Sequence, residues 1–156
     1  MNEDTYELQC LDWLQKSGWT WVKGPEIAHD GKSPERTSYK DILLVHRLED
    51  AISRINPGTP KETIMRVRQM LESPGETDIL KANQKIHQWM TEGISVKIRE
   101  DSGDETTKLL WLIDFNNIEN NDWLAVNQYS VQVDADAGTR RPDIVLFLNG
   151  IPISVL

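Results

Sequence analysis

The stretch Arg140-Arg141-Pro142-Asp143-Ile144-Val145-Leu146-Phe147-Leu148-Asn149-Gly150-Ile151-Pro152-Ile153-Ser154-Val155-Leu156 decides the fold class. Two apolar runs flank Asn149-Gly150. Asn-Gly in that setting is a strong hairpin signal, because a tight hairpin turn needs residues that accept positive φ. Ile144 to Leu148 reads as a buried strand, which puts Asp143 at its outer start. An ionised carboxylate there is costly unless it is paired or bound to a metal, so Asp143 is a candidate metal ligand. The competing reading has Asp143 cap the strand or pair with Arg140 or Arg141, and spacing alone favours it.

Upstream of the hairpin the pattern remains that of a sheet. Ile94, Val96 and Ile98 alternate with polar residues, and Lys108 to Phe115 and Trp123 to Val133 are rich in apolar and aromatic side chains. Earlier the period becomes helical. Asp4 to Ser17 carries Leu8, Leu11 and Leu14 at helical spacing, with Asp4 placed to cap, Glu7 three residues on, and Gly18 as a stop. Trp19 to Val22 reads as a short strand, and Gly24 to Ser38, with Pro25, Gly31 and Pro34, as a loop. Tyr39 to Ile55 places Leu43, Leu44, Leu48, Ala51, Ile52 and Ile55 on one helical stripe ending at Asn56-Pro57. Pro60 suits the first turn of a helix carrying Ile64, Val67 and Leu71, and another helix is expected from about Thr77 to Thr91, before Gly93. The expected fold is α/β (α+β), a mixed central β-sheet flanked by helices, with helices mainly in 4–91 and sheet mainly in 93–156.

Composition sets outer bounds. The 156 residues suit one domain with a proper core and are too few to hold several functional domains together. A single Cys10 forms no internal disulfide, and the polar, acidic start has no signal-peptide character, so a reducing, cytoplasmic setting is expected. No apolar run approaches the roughly 20 residues that cross a bilayer, so no membrane is expected as a partner. With 25 acidic and 17 basic residues the net charge is -8, which argues against a self-sufficient DNA binder and predicts dependence on other parts for DNA affinity. His29, His46 and His87 lack ligand spacing, no Cys cluster accompanies Cys10, and no Gly-rich Lys-Ser/Thr loop for nucleotide phosphates occurs. The six Trp residues are dispersed and read as core rather than as a base-stacking platform.

The run Arg140 to Pro152 resembles the stretch of type I restriction enzyme R (restriction and motor) subunits that carries the first acidic residue of a PD-(D/E)xK nuclease site. The likeness extends through Glu7, Gly18-Trp19, Glu35-Arg36-Thr37-Ser38-Tyr39, Leu44, Arg47-Leu48, Asn56-Pro57, Asn83, His87, Glu92-Gly93, Ile113-Asp114-Phe115 and Asn127-Gln128-Tyr129, in order. It implies a restriction-endonuclease-like core and Mg²⁺-dependent cleavage of double-stranded DNA, with Asp143 as metal ligand. It further implies modification (methyltransferase) and specificity subunits as partners, and ATP and S-adenosylmethionine used by the parent holoenzyme outside this chain. The family pattern continues with Glu, one spacer and Lys where this sequence reaches Leu156, so the chain by itself is expected to be inactive.

A shared metal site requires Asp143 and that Glu to face the same way. A plain two-residue Asn149-Gly150 turn would set Asp143 opposite Leu156 and turn the next residue away. A type I turn with Gly150 in a G1 bulge would instead pair Asp143 with Val155 and let the next residue share its face, and this bulged form is the expectation. Glu7 falls on one stripe with Leu11 and Leu14, aimed at the core. It either supports the metal site or completes a capping box with Asp4. Arg140 and Arg141 either contact phosphate or neutralise Asp136 and Asp143, and Gln128 is a site neighbour or a satisfied strand amide. Two other classes compete: a non-catalytic nuclease-like module for binding or assembly, and a solitary nuclease without a motor.

Overall fold

In the computed structural model, which describes residues 3–99, 102–132 and 138–156, Asn149 and Gly150 both have positive φ, 53° and 78°. That combination marks a two-residue type I′ turn. The elements in chain order are α1 (Glu3–Lys16), β1 (Thr20–Lys23), α2 (Gly24–Ile27), α3 (Val45–Ile55), α4 (Lys61–Glu72), α5 (Ile79–Glu92), β2 (Ile94–Arg99), β3 (Glu105–Leu110), a 3₁₀ turn (Ile118–Asn120), β4 (Trp123–Asn127), β5 (Val131–Gln132), β6 (Thr139–Arg140), β7 (Ile144–Leu148) and β8 (Ile151–Val155). The fold is mixed α/β, with a mixed sheet flanked by helices, as the sequence predicts.

Leu148 pairs directly with Ile151, so the three-residue turn with a bulge at Gly150 does not form, and Val155 pairs with Val145 rather than with Asp143. Asn149 supplies the reason. It is fully buried, its N–H donates to the Asp122 carbonyl at 2.9 Å, and its Oδ1 accepts from the Asp122 N–H at 2.7 Å. A partner outside the hairpin thus holds it in the left-handed region that Asn tolerates. The extra residue sits further along β8. Phe147 pairs with Pro152 but Leu146 pairs with Ser154, leaving Ile153 as the bulge. Pro152 has no N–H for the ladder, and such residues are confined to edges and bulges.

The chain divides into two compact units, Met1–Arg47 with Asp122–Leu156, and Leu48–Asn121. In the first, the sheet order is β1-β4-β7-β8, with β1 parallel to β4 and the other pairs antiparallel. Alternation along the strands sorts the side chains into two layers. Ala125 and Ile144 pack with Leu11 of α1, joined by Cys10, Leu14, Trp21 and Leu146. Leu124, Val126, Val145 and Phe147 face the other way, packing with Ile27, Leu44 and Tyr129. Leu8, expected on the buried stripe of α1, is 60% exposed, because the buried arc runs through Leu11 and Leu14.

Three expected elements are shorter than their apolar patterns. Tyr39 to Leu44 is not helical. Asp41 instead accepts from the N–H groups of Thr37 and Ser38 at 2.7 and 3.0 Å, and Leu44 N donates to the Gly150 carbonyl at 2.9 Å. The strand expected over Trp123 to Val133 breaks at Gln128, where φ is 55°, and resumes as the β5–β6 ribbon. The one expected over Lys108 to Phe115 ends at Leu110. Conversely, the loop expected over Gly24 to Ser38 begins with α2, whose first turn holds Pro25.

The second unit holds the β2–β3 hairpin, with α4 against β2. Asn56 explains where β3 stops. Its Nδ2 donates to the Ile52 and Trp111 carbonyls and its Oδ1 accepts from Trp111 N at 2.8 Å, so residue 111 pairs with a side chain instead of a strand. Asp114 then organises a turn, accepting from the N–H groups of Asn116 and Asn117 and from Asn120 Nδ2. These bonds hold its carboxyl below the usual carboxylate range, with Asn120 the main cause. Asp78 caps α5 through the N–H groups of Leu80 and Lys81, and Gly93 ends it at φ 80°.

Candidate functional site at the end of the central sheet

At the end of the sheet away from the hairpin turn, β1, β4 and β7 finish at Lys23, Asn127 and Ile144, which are register partners. Asp143 is the next residue beyond, a bend just before β7. Its carbonyl accepts from Gln128 N at 2.8 Å, which extends the β4–β7 ladder by one bond. The Asp143 carboxylate is exposed, so the expected burial cost does not arise. Among the described residues no ion pair joins it to Arg140 or Arg141. Both arginines are exposed, Arg140 in β6 opposite Val131 and Arg141 just after it, and Asp136 lies outside the described residues.

Glu7 reaches the same end of the sheet from α1. Its Oε1 accepts from Asn127 Nδ2 at 2.7 Å. The helix begins at Glu3, which puts Asp4 inside it rather than at the cap position, and the Glu7 carboxylate is engaged with the sheet rather than with the helix start. Asn127 Oδ1 in turn accepts from Trp21 Nε1 at 2.9 Å. Asn127 belongs to the matched Asn127-Gln128-Tyr129 run but is not among the site residues expected from the sequence. Its signal is a polar residue ending an otherwise apolar strand, and it is only 8% exposed.

Glu7 and Asp143 are brought to one end of the sheet but not into contact. Ile144 lies on the α1 side and Val145 on the other. Plain alternation would therefore turn Asp143 away from Glu7, and the bend at Asp143 is where that alternation stops. Among the described residues no group of three or more His, Cys, Asp or Glu side chains could hold a metal ion. What the described residues offer is two hard oxygen donors, suited in kind to Mg²⁺, which uses one or two carboxylates and completes its shell with water and phosphate.

Gln128 is strained, since positive φ is uncommon outside Gly, Asn and Asp. Gly24 allows the chain to pass beside it. A Cβ at Gly24 would lie 2.7 Å from the Gln128 carbonyl carbon and 2.8 Å from the Asn127 oxygen. The next residue, Tyr129, is buried and donates to the Asp41 carbonyl at 3.1 Å. Burial pushes its phenol up, partly offset by the Arg36 charge. Arg36 is 6% exposed and stacks 4.0 Å over the Tyr129 ring, with Nη1 donating to the Ser130 carbonyl at 2.6 Å.

At the opposite end of the sheet Arg47 joins two carboxylates. Nε and Nη2 donate to Glu35 at 2.5 and 2.8 Å, and Nη1 donates to Asp122 at 2.9 Å. The hydrogen bond to Glu35 is the largest influence on the guanidinium, which is held above its ordinary range. Asp122 is the residue whose backbone locks Asn149, so this clamp fixes the hairpin turn.

A mixed central sheet flanked by helices is consistent with a nuclease-like fold. Residues 1–156 match the family described as type I restriction enzyme R protein N terminus, and the chain belongs to that family. It is 32% identical over 157 aligned positions to a Methanocaldococcus jannaschii protein named as the type I restriction enzyme MjaIXP endonuclease subunit, covering 99% of this chain and 15% of that protein. It is 29% identical over 156 positions to the type I restriction enzyme HindI endonuclease subunit of Haemophilus influenzae, covering 99% and 14%. The chain therefore spans about one seventh of the length of these relatives. Among the described residues no helix is long and apolar enough to cross a membrane.

Proposed function

We propose that this chain is the N-terminal portion, residues 1–156, of the nuclease domain of a type I restriction endonuclease R subunit. The reaction is Mg²⁺-dependent phosphodiester hydrolysis in double-stranded DNA. The observation that carries this reading is the register of β7 and β8. Ile144 and Leu156 exchange hydrogen bonds of 3.4 and 2.9 Å, so a strand continued by one residue would set that residue opposite Asp143. Directly opposed residues of an antiparallel pair point the same way, which is the relation a shared metal site requires. The bulge at Ile153 creates this parity; without it the type I′ turn would put Leu156 there.

In this reading Asp143 holds Mg²⁺ and Glu7 supports it. The metal, when bound, polarises the phosphate and lowers the pKa of a coordinated water. Arg140, Arg141 and Gln128 are candidates for contact with the DNA strand. ATP-driven translocation and S-adenosylmethionine use belong to other parts of a cytoplasmic holoenzyme with modification and specificity subunits.

The test is Mg²⁺-dependent cleavage of plasmid DNA by the full-length subunit assembled with its partners and ATP, beside the same assembly carrying Asp143→Ala. Loss of cleavage with ATP hydrolysis intact is expected, and equal cleavage by both would refute the assignment. The net charge of -8 and the lack of a three-ligand cluster among the described residues favour a second reading, a non-catalytic module for binding or assembly. Cleavage by neither assembly would establish it.

A further inference from the structure

We infer that Asn127 is a positioning residue for the nuclease reaction, holding the Glu7 carboxylate at the sheet end through an amide whose orientation Trp21 fixes. The inference rests on the reading of Glu7 as support for the metal site. An indole Nε1 only donates, so the Asn127 atom 2.9 Å from Trp21 Nε1 must be the amide oxygen. The NH₂ group is then left facing Glu7 Oε1 at 2.7 Å, where it meets an acceptor. The three side chains form a one-way chain, Trp21 to Asn127 to Glu7, in which no group can reverse without leaving a buried donor unpaired.

The frame around these three side chains is two paired strands and α1. Trp21 stands on β1 opposite Ala125, in the layer where Leu11 of α1 packs, and Asn127 stands two residues further along β4 on the same side. Asn127 is 8% exposed, so its hydrogen bonds meet little competition from water. The bond to Asn127 occupies one Glu7 oxygen. Oε2 has no hydrogen-bond partner among the described residues and is the atom left for a cation. This is the arrangement by which outer groups orient a ligating carboxylate. Asn127 is also the last residue before strained Gln128, whose N–H holds the Asp143 carbonyl. The same strand end therefore sets the places of both carboxylates.

The experiment uses the full-length subunit assembled with its modification and specificity subunits, as wild type, Asn127→Leu, Trp21→Phe and Glu7→Gln. Two quantities are read: Mn²⁺ bound, from the paramagnetic resonance of the free ion, and the Mg²⁺ concentration giving half-maximal plasmid cleavage. ATP hydrolysis in the same assemblies, with its own Mg²⁺ dependence, serves as internal reference. For Asn127→Leu the half-saturating Mg²⁺ is expected to rise about tenfold, the lower end of what loss of an outer-shell partner does to metal affinity. Mn²⁺ binding should weaken in parallel, cleavage at saturating Mg²⁺ should stay near wild type, and ATP hydrolysis should not change. Trp21→Phe keeps the ring but removes the donor, so it should shift both readouts in the same direction by less. If Asn127→Leu does not assemble, Trp21→Phe decides. Should Glu7→Gln move both readouts while Asn127→Leu, or failing that Trp21→Phe, moves neither, the inference is overturned and the role of Glu7 stands. If Glu7→Gln moves neither, the reading of Glu7 fails and the inference with it.

Discussion

Replacing Arg47 with Met should destabilise the first unit by about 3 kcal/mol, near the bottom of the range for breaking a buried ion pair from one side. The geometry sets the size. Arg47 makes three hydrogen bonds of 2.5 to 2.9 Å to two carboxylates. Charge-assisted bonds of this kind contribute roughly 1.5 to 3 kcal/mol each when shielded from water. The side chains of Arg47, Glu35 and Asp122 are 26, 24 and 24% exposed, so solvent screens part of that, and bonds sharing one guanidinium are not additive. Met fills the stem volume, so little cavity term is added. What remains is the loss of the clamp together with two carboxylates left facing each other without a cation. For a chain of this size about 3 kcal/mol corresponds to a fall in Tm of roughly 6 to 12 °C. Thermal and urea unfolding of wild type, Arg47→Met and Arg47→Lys would measure it. Lys keeps the charge but cannot fork across the two Glu35 oxygens, so it should show most of the loss. A fall of less than about 2 °C for Arg47→Met would refute the reasoning, since the clamp would then be energetically equivalent to a surface pair.

Two further outcomes follow from the same unit. Gly24→Ala places a methyl against backbone that cannot swing aside. It should cost about 1 to 3 kcal/mol in urea unfolding and shift the amide resonances of Asn127 and Gln128; a silent substitution would mean the strand end is soft. For Asp41, burial opposes ionisation, but hydrogen bonds from Thr37 and Ser38 outweigh it and leave the carboxyl below its ordinary value. A depressed folded value means stability present above the unfolded pKa, about 3.9, and lost as pH falls through the folded one. Asp41→Asn should therefore flatten the decline of the urea midpoint below about pH 4, and an unchanged slope there would contradict it.

The strands were legible because their evidence is local, but their division into a four-stranded sheet and two separate ribbons was not. Ile144 to Val155 around Asn149-Gly150 reads as a hairpin from residue types alone, and Ile94, Val96 and Ile98 reveal β2 by alternation. Two of the failures share one cause, a group distant in sequence that takes a backbone group the pattern had assigned to an element. Asn56 captures residue 111 from 55 positions away and ends β3 early. Gly150 takes the N–H of Leu44, outside the helix its apolar spacing suggested. Asp143 and Glu7 stand out as candidates by type and position, whereas Asn127, matched only within Asn127-Gln128-Tyr129, does not, because its two hydrogen-bond partners lie 106 and 120 residues away.

The hairpin carries its extra residue at a different place from the one expected. A bulge was expected at Gly150, and the structure has one at Ile153, past which Ile144 pairs with Leu156. The two solutions are equivalent for the face of every residue past the bulge, since one inserted residue anywhere between the turn and Val155 reverses the alternation once. They differ in what each demands of the turn. A bulge at Gly150 would widen the connection, whereas Asn149 is fully buried and tied to Asp122 by bonds that hold β4, the turn and the Arg47 clamp together. Moving the bulge to Ile153, beside a proline that cannot serve the ladder, leaves the anchored end tight and sets the facing of β8 nearer the end where Asp143 stands. Structural anchoring and the placing of the candidate site thus occupy opposite ends of one hairpin, and one extra residue between them lets each end satisfy its own geometry.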